Sequence, residues 1–362
     1  MGRCKLEEFI SYEQPTKYIV DSDQYDDSYE IPVLTAGKSF ILGYTDEKNN
    51  IFDNLPVIIF DDFTTSVQFV DFPFKVKSSA MKLLKNTEQA DIKYCYYLLK
   101  FLQHTPENHK RQWLSATSQN IVELPTIEKQ KNIVRKLDKI LEVIDNQNKQ
   151  LELLDEAIKA RFVEMFGDPI TNDRLWNTVK LNDVCDGIGD GLHGTPEYDE
   201  YGDYPFINGN NLRDGMIEIT PSTKMVNEDT YRKHFIKLTE NAILLSINGT
   251  LGNLALYNGE KVMLGKSACY CNLISDINRK FVCGVMKTDA FSKFLESNAT
   301  ASTIKNVGLK AIREFTLIVP PLELQNQFAS FVEEIDKSRS RIQKSLEASQ
   351  ELFDSLMQEY FG

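Results

Sequence analysis

The feature that most constrains this chain is a long apolar heptad pattern that occurs twice. From Leu124 to Gly167, apolar residues alternate in steps of four and three, the rhythm of a helix that packs along one stripe. Gly167, with Pro169 two residues later, predicts that the helix ends in a left-handed cap. The apolar stripe comprises Ile133, Leu137, Ile140, Ile144, Leu151, Leu154, Ile158 and Met165.

The same stretch returns from Val319 to Gly362 at a constant offset and without a gap. Pro125 corresponds to Pro320, and Gly167 corresponds to Gly362. Because a different globular segment precedes each stretch, the pattern indicates a tandem duplication. The second stripe comprises Phe328, Val332, Ile335, Ile342, Leu346, Phe353, Leu356 and Tyr360.

Two in-phase stripes of equal length predict that the helices pair with each other in antiparallel order, with a globular unit at each end of the rod. The alternative is that each helix pairs with another chain. Polar residues interrupt the stripes at Gln147 and Arg161 in the first helix and at Arg339 and Ser349 in the second. They either fix the register or form an exposed notch.

The predicted fold class is therefore α+β: two globular α/β domains separated by a long antiparallel two-helix coiled coil, with pseudo-two-fold symmetry from the repeat. Short apolar runs bounded by turn residues predict strands in the first domain at 31–34, 40–42, 56–60 and 67–70, and helical spacing predicts a helix at 92–102. The predicted boundaries are 1–122 for the first domain, 123–167 for the first helix, 168–318 for the second domain and 319–362 for the second helix.

Composition limits the possible classes of function. The net charge is −12 and no segment is strongly basic, so a stand-alone nucleic-acid binder is disfavoured. If the protein binds DNA, its basic residues must lie on one face, or a partner must supply much of the backbone grip. The chain has no run of 18 apolar residues and no basic-then-apolar N-terminus, which predicts a cytoplasmic protein without a membrane span.

The sequence contains no persuasive catalytic or metal-binding motif. The glycine pattern from Gly189 to Gly194 matches a nucleotide-binding fingerprint, but Thr195-Pro196 follows it where a phosphate-binding helix would have to begin. The paired carboxylates Asp61 and Asp62 have no Lys or His partner nearby in sequence, so a turn or a polar contact is the favoured interpretation. The six cysteines lack a Cys-x-x-Cys motif. No catalytic residue, metal ligand or cofactor of its own is therefore predicted.

Polar, glycine-bearing loops occur at equivalent places in both domains. Their Asn, Arg, Lys and Thr side chains suit base edges in the DNA major groove, and glycine allows a close approach of the backbone. The alternative is that they are ordinary tight turns. The candidate DNA-binding residues are Lys38, Ser39, Thr64, Thr65, His193, Thr195, Asn208, Asn210, Asn211, Arg213, Asn248, Thr250 and Lys266.

The layout resembles the specificity subunits of type I restriction–modification systems. The resemblance is carried by the helix starts at 124–130 and 319–325, by Phe166-Gly167-Asp168-Pro169, and by the second-domain opening at Trp176 and 179–181. Residues 246–252 resemble the Ser-x-x-Gly-Thr-x-Gly loop of that family, whereas residues 60–64 of the first domain lack its Gly-Thr.

The resemblance implies a non-catalytic subunit in which each target-recognition domain reads one half of a split double-stranded DNA target. The helices would set the spacing between the halves and bind two methyltransferase subunits that methylate adenine, and restriction subunits would join them. AdoMet, ATP and Mg²⁺ would belong to those partners. The alternative is a coiled-coil scaffold that organises protein partners without reading DNA.

Overall fold

The computed structural model describes residues 2–37, 39–106, 111–213 and 215–362. The chain divides into two compact units. Unit 1 comprises Met1–Asn148 and Lys344–Gly362, and unit 2 comprises Lys149–Gln343. Each unit therefore contains part of both long helices, whereas the sequence-based boundaries at 122, 167 and 318 set the helices apart from the domains.

Unit 1 contains nine strands and parts of both long helices among its described residues. A four-stranded antiparallel sheet has the order β2-β8-β5-β6, a three-stranded sheet has the order β4-β3-β7, and β1 pairs with β9. The strands are β1 (Gly2–Lys5), β2 (Ile10–Glu13), β3 (Ile31–Leu34), β4 (Ile41–Thr45), β5 (Val57–Asp61), β6 (Val67–Val70), β7 (Lys75–Val76), β8 (Met81–Asn86) and β9 (Ile121–Leu124). The helices are α1 (Ile92–Phe101), α2 (Gln112–Ser115) and the first part of α3 (Ile127–Phe166).

Unit 2 contains the remaining strands and helices. Its strands are β10 (Asn177–Lys180), β11 (Cys185–Asp190), β12 (Tyr204–Ile207), β13 (Leu212–Arg213), β14 (Met216–Ile217), β15 (Met225–Val226), β16 (Ala242–Ser246), β17 (Leu254–Leu256), β18 (Met263–Leu264), β19 (Ala268–Leu273) and β20 (Thr316–Val319). The helices are α4 (Glu228–Lys233), α5 (Arg279–Met286), α6 (Asp289–Asn298), α7 (Leu309–Glu314), the last part of α3 and the first part of α8 (Leu322–Phe361).

The two units share one strand topology. In unit 2 the four-stranded sheet has the order β11-β19-β16-β17 and the three-stranded sheet the order β15-β12-β18, which reproduce the two larger sheets of unit 1. Each three-stranded sheet contains one parallel pair, β3 with β7 and β12 with β18. The pair β10–β20 in unit 2 corresponds to β1–β9 in unit 1, and β13–β14 is an addition in unit 2. The arrangement of strands, which we call the frame, is the same in both units, whereas the loops differ.

A central strand in each unit is buried on both faces, which explains its uninterrupted apolar sequence. Side chains alternate between the faces of a strand. In β5, Ile58 and Phe60 enter the core beside α1 and the long helices, whereas Val57 and Ile59 enter a second core. In β16, Ile243 likewise enters the core that contains α3 residues of unit 2.

Within each unit, α3 and α8 pack against each other in antiparallel order. In unit 1, Lys136 Nζ donates to Tyr360 Oη at 3.1 Å, and Gln147 Nε2 donates to Ser345 Oγ at 2.8 Å. No residue of the two predicted apolar stripes is exposed; all are buried or half-buried. The seam residue Gln147 therefore makes a cross-helix hydrogen bond and does not form an exposed notch.

The same packing occurs between the other parts of the helices in unit 2. Arg339 forms an ion pair with Asp155 at 2.6 Å, and the rings of Phe162 and Phe328 lie 5.5 Å apart. The predicted cap at Gly167 is present, because its φ is 75° and its N–H donates to Val163 O at 2.8 Å.

A buried glutamine at the start of each long helix ties that helix to its unit. In unit 1, Gln130 Oε1 accepts from Asp91 N at 2.7 Å, and its Nε2 donates to Pro125 O at 2.8 Å and to Gln89 O at 3.2 Å. Asp91 is the N-cap of α1, so the bond joins the beginnings of two helices.

Gln325 makes the equivalent bonds in unit 2. Its Oε1 accepts from Asn278 N at 2.9 Å, and its Nε2 donates to Pro320 O at 2.8 Å. Asn278 is the N-cap of α5. Both glutamines are almost completely buried, and each satisfies its own side-chain amide through bonds to the backbone.

We expect Gln130→Met to lower the free energy of unfolding of unit 1 by about 2–4 kcal/mol, because three backbone groups lose a hydrogen bond to a buried side chain. The matched control is Gln350→Met, at an exposed position of α8 in the same unit. Both variants are made in a Trp176→Phe background, so that the fluorescence of the buried Trp113 reports urea unfolding of unit 1. Equal midpoints for the two variants would contradict the role of Gln130.

Candidate nucleic-acid interface

The predicted loops of unit 2 come together at one edge of its sheets. Backbone hydrogen bonds join them: Leu192 N donates to Leu264 O at 2.8 Å, and Gly265 N donates to Ile207 O at 2.8 Å. Lys266 N in turn donates to Leu192 O at 3.0 Å. Loops that follow β11, β12 and β18 therefore form one continuous surface. We call it the unit 2 loop edge and define it as residues 191–195, 208–213, 246–252 and 265–267.

The loop of residues 246–252 is closed by the residues that define its motif. Ser246 Oγ donates to Thr250 O, and Gly252 N donates to Ser246 O at 2.9 Å. Gly249 and Gly252 have φ of 78° and 86°, a conformation that favours glycine. The serine and the glycines thus shape the loop, and they leave Thr250 exposed at its tip.

Six of the predicted residues of unit 2 have exposed side chains: His193, Thr195, Asn210, Arg213, Thr250 and Lys266. Two of these have acidic neighbours. His193 Nε2 lies 2.8 Å from Asp190 Oδ2, and Arg213 Nε lies 3.4 Å from Glu218 Oε2. The exposed set offers hydrogen-bond donors and acceptors together with positive charge, the functional groups that contact base edges and phosphates.

The other three predicted residues of unit 2 are half-buried and engaged within the loops. Asn208 Oδ1 accepts from Ser267 Oγ at 2.9 Å, and Asn248 Nδ2 donates to Asn306 Oδ1 at 3.3 Å. Asn211 Oδ1 accepts from Asn208 N at 3.0 Å, and its Nδ2 donates to Glu218 O at 3.1 Å. These asparagines stabilise turns, which is the alternative that the sequence left open.

The equivalent loops of unit 1 follow β3 and β5. Ser39 and Thr64 are exposed, and Lys38 lies outside the described residues. Thr65 differs, because its side chain is buried and Thr65 Oγ1 donates to His104 O at 2.6 Å while accepting from His104 N at 3.0 Å. Thr65 therefore supports the loop from within, and its hydroxyl is not available at the surface.

The paired carboxylates of unit 1 have structural partners, as the sequence favoured. Asp61 Oδ1 accepts from Phe63 N at 2.7 Å and shapes the turn. Asp62 is fully buried, where it forms an ion pair with Lys82 at 2.9 Å and accepts from Trp113 N at 2.9 Å. The partner lysine comes from β8, so no pattern of residues near position 62 could have revealed it.

Two residues at or beside the unit 2 loop edge were not predicted from the sequence. Ser267 lies where three loops meet, and Lys305 accepts a hydrogen bond at its carbonyl from Gly249 N at 3.0 Å. The Lys305 side chain is exposed. Neither residue stands in a recognisable motif, so contacts between distant parts of the chain were needed to find them.

The glycine pattern from Gly189 to Gly194 allows close packing of the backbone. Residues 191–203, all of which the structure describes, contain no helix. A Cβ at Gly191 would lie 1.9 Å from Leu264 O, and one at Gly189 would lie 2.8 Å from Tyr270 Oη. The motif therefore lets β11 and its loop lie against neighbouring backbone, in agreement with the rejection of a nucleotide site.

The cysteines of unit 2 are poor candidates for a reactive or metal-binding role. All six cysteines of the chain are free thiols. Burial raises the pKa of Cys283 to about 12, and a hydrogen bond with Cys271, followed by burial, raises the pKa of Cys185. The thiolate is the form that attacks electrophiles and binds metals, and a raised pKa makes it rare at neutral pH. Among the residues that the structure describes, no group of three or more His, Cys, Asp or Glu side chains is placed to hold a metal ion.

Comparison with known proteins identifies the family. Residues 174–350 match the model of the type I restriction modification DNA specificity domain. The chain is 28% identical over 368 residues to the specificity subunit of the type I restriction enzyme EcoR124I/EcoR124II from Escherichia coli, with 96% of this chain and 89% of that protein covered. The chain belongs to the family of type I restriction–modification specificity subunits.

Two further similarities accompany this assignment. The specificity subunit of the type I restriction enzyme MjaVIII from Methanocaldococcus jannaschii is 25% identical over 213 residues, which cover 56% of this subunit and 45% of that protein. The fold is similar to that of the type I restriction-modification S subunit from M. genitalium, with a TM-score of 0.63 at 15% identity, over 100% of this subunit and 96% of that chain. In the part of the subunit that the structure describes, no helix is long and apolar enough to cross a membrane.

We expect Gly191→Ala to destabilise the unit 2 loop edge by about 1–3 kcal/mol, because the new methyl group would overlap the backbone of Leu264. Gly187→Ala is the matched control four residues earlier, where a Cβ would meet Tyr270 Cε2 at an ordinary 3.8 Å. Amide hydrogen exchange of peptides that cover residues 187–213 measures the effect. Equal protection in both variants would show that the loop accommodates the methyl group.

Proposed function

We propose that each unit of this specificity subunit reads one half of a bipartite double-stranded DNA target. The observation that carries the proposal is a shared frame with different loops. Lys77 N donates to Leu34 O at 3.0 Å in unit 1, at the place where Gly265 N donates to Ile207 O at 2.8 Å in unit 2. The same loop edge is thus built twice, and its exposed side chains differ, as the reading of two different sequences requires.

The exposed residues of the unit 2 loop edge support a division of labour. Asn210 and Thr250 have hydrogen-bonding groups suited to base edges, whereas Lys266, and Lys305 beside the edge, provide positive charge for phosphates. In unit 1, Lys75 and Lys82 are buried in ion pairs, Lys75 with Glu47 at 2.6 Å and Lys82 with Asp62 at 2.9 Å. These two lysines are therefore not available for contacts with the DNA backbone.

The long helices are proposed to set the distance between the two half-sites. Each helix has 40 residues, about 60 Å at 1.5 Å per residue. The antiparallel contacts within each unit support one two-helix coiled coil that runs through both, with Gln147–Ser345 and Asp155–Arg339 holding its register. The number of unread base pairs between the half-sites would follow from its length.

Partner subunits complete the proposed mechanism. Two methyltransferase subunits would bind around the helices and methylate adenine with AdoMet, and restriction subunits would use ATP and Mg²⁺ to cleave unmodified DNA. The specificity subunit itself would be non-catalytic. The net charge of −12 supports a complex in which the partners supply many of the phosphate contacts.

An exchange of domains tests the reading of half-sites. The complete chain is co-expressed with its methyltransferase, residues 1–122 are replaced by those of a relative with another target, and methylated adenines are mapped by long-read sequencing. We expect one half of the split motif to change and the other to persist. If complexes assemble and no methylated motif is found, the alternative of a coiled-coil scaffold that does not read DNA replaces the proposal.

The helical spacing leads to a second prediction. The variant has seven residues inserted after Asn148 in α3 and seven inserted before Lys344 in α8. The two insertions lie opposite each other and lengthen the helix pair by about 10 Å. We expect the gap between half-sites to grow by up to about three base pairs, at 3.4 Å each, with both half-sites unchanged. An insertion into α3 alone should break the pairing and abolish methylation. An altered half-site at constant gap would count against the helices as a spacer.

A further inference from the structure

Ser267 joins three loops of the unit 2 loop edge. Ser267 Oγ accepts from Gly209 N at 2.9 Å and donates to Asn208 Oδ1 at 2.9 Å. Its carbonyl oxygen accepts from Ile247 N at 3.1 Å. One residue thus holds the turn that presents Asn210 and the loop that presents Thr250, and it directly follows the exposed Lys266.

The hydroxyl bonds of Ser267 join groups that are buried or half-buried. Gly209 is buried, so its N–H would be left without a partner if the hydroxyl were removed. Neighbouring groups also leave little room: a Cβ at Gly209 would lie 2.1 Å from Ser246 Oγ, and one at Gly265 would lie 2.3 Å from Asn208 Oδ1. The Ser267 hydroxyl therefore bridges loops that are closely packed against each other.

Unit 1 holds the equivalent place by different chemistry. The residue before β8 is Ala80, as Ser267 is the residue before β19, and Asp62 N donates to Ala80 O at 3.2 Å as Ile247 N donates to Ser267 O. Ala80 has no hydroxyl. In unit 1 the buried Asp62, paired with Lys82 and bonded to Trp113 N, fixes the loop instead.

We propose that Ser267 is the positioning residue for the half-site read by unit 2, acting through the placement of Asn210, Thr250 and Lys266. The inference rests on the proposed function. A hydroxyl that fixes the relative position of three reading loops determines which bases their side chains can reach. Its removal should relax the recognition of one half-site and leave the other intact, because the hydrogen bonds that Ser267 makes with described residues lie within unit 2.

The test compares Ser267→Ala with Ser267→Thr, which retains the hydroxyl, and with Ser275→Ala, an exposed serine of the same unit. Each full-length variant is co-expressed with the methyltransferase, and methylation is compared between the target and sequences that differ from it by one base. The exchange of residues 1–122 identifies the half-site of unit 2. For Ser267→Ala we expect discrimination in that half-site to fall about ten-fold, the value of one hydrogen bond. The threonine variant should restore discrimination, and Ser275→Ala should leave it unchanged.

Other outcomes overturn the inference and are distinct from failure of the proposed function. A lower melting temperature with the motif unchanged in Ser267→Ala would make Ser267 merely structural, and so would equal losses in both half-sites. If the alanine variant does not assemble, Ser267→Cys, a weaker hydrogen-bond donor of similar size, replaces it, and an unchanged motif then sinks the inference. If the unmodified chain has no bipartite motif, the proposed function fails whatever Ser267 does.

Discussion

The burial of two long apolar stripes is the constraint on which this subunit depends. Helices in proteins gain most of their stability from the packing of an apolar face, and the 40-residue helices α3 and α8 each have one apolar stripe to bury. One part of the apolar face of each helix is buried in unit 1, and the other part is buried in unit 2. The cores of both units consequently include residues of both helices, for example Leu137 and Phe353 in unit 1, and Phe162 and Phe328 in unit 2.

The two units show how one backbone arrangement can be held by different side chains. Backbone bonds at the loop edges correspond closely, and so do the buried Gln130 and Gln325 at the helix starts. The groups that fix the loops do not correspond, since a buried ion pair serves in unit 1 and a serine hydroxyl in unit 2. An arrangement of strands that is held mainly by backbone bonds leaves its loops free to differ in sequence.

Local signals in the sequence were sufficient for the frame. Heptad spacing located both long helices within four residues of their ends, because an apolar stripe has to continue for as long as the helix packs against a partner. Strands β3 and β6 have the predicted bounds, since turn residues flank their apolar runs. The structure of the polar stretch before β9 was harder to predict, because this stretch contains α2 and the buried Trp113. The individual loop residues were not predictable. Asn208 and Asn210 look alike in sequence, yet one is bonded to Ser267 and the other is exposed.

The division of the helices also affects how the chain can fold as it is made. The core of unit 1 includes Phe353 and Met357, which are translated only after the whole of Lys149–Gln343. At typical rates of synthesis, roughly ten to forty seconds separate the two parts of unit 1. During that interval Leu137 and Ile144 lack the α8 side chains that cover them, and unit 2 receives its last residue before the second part of unit 1 is made. In this subunit the unit whose synthesis begins first is therefore the last to be completed, and until then its part of the α3 stripe lacks the α8 residues that cover it.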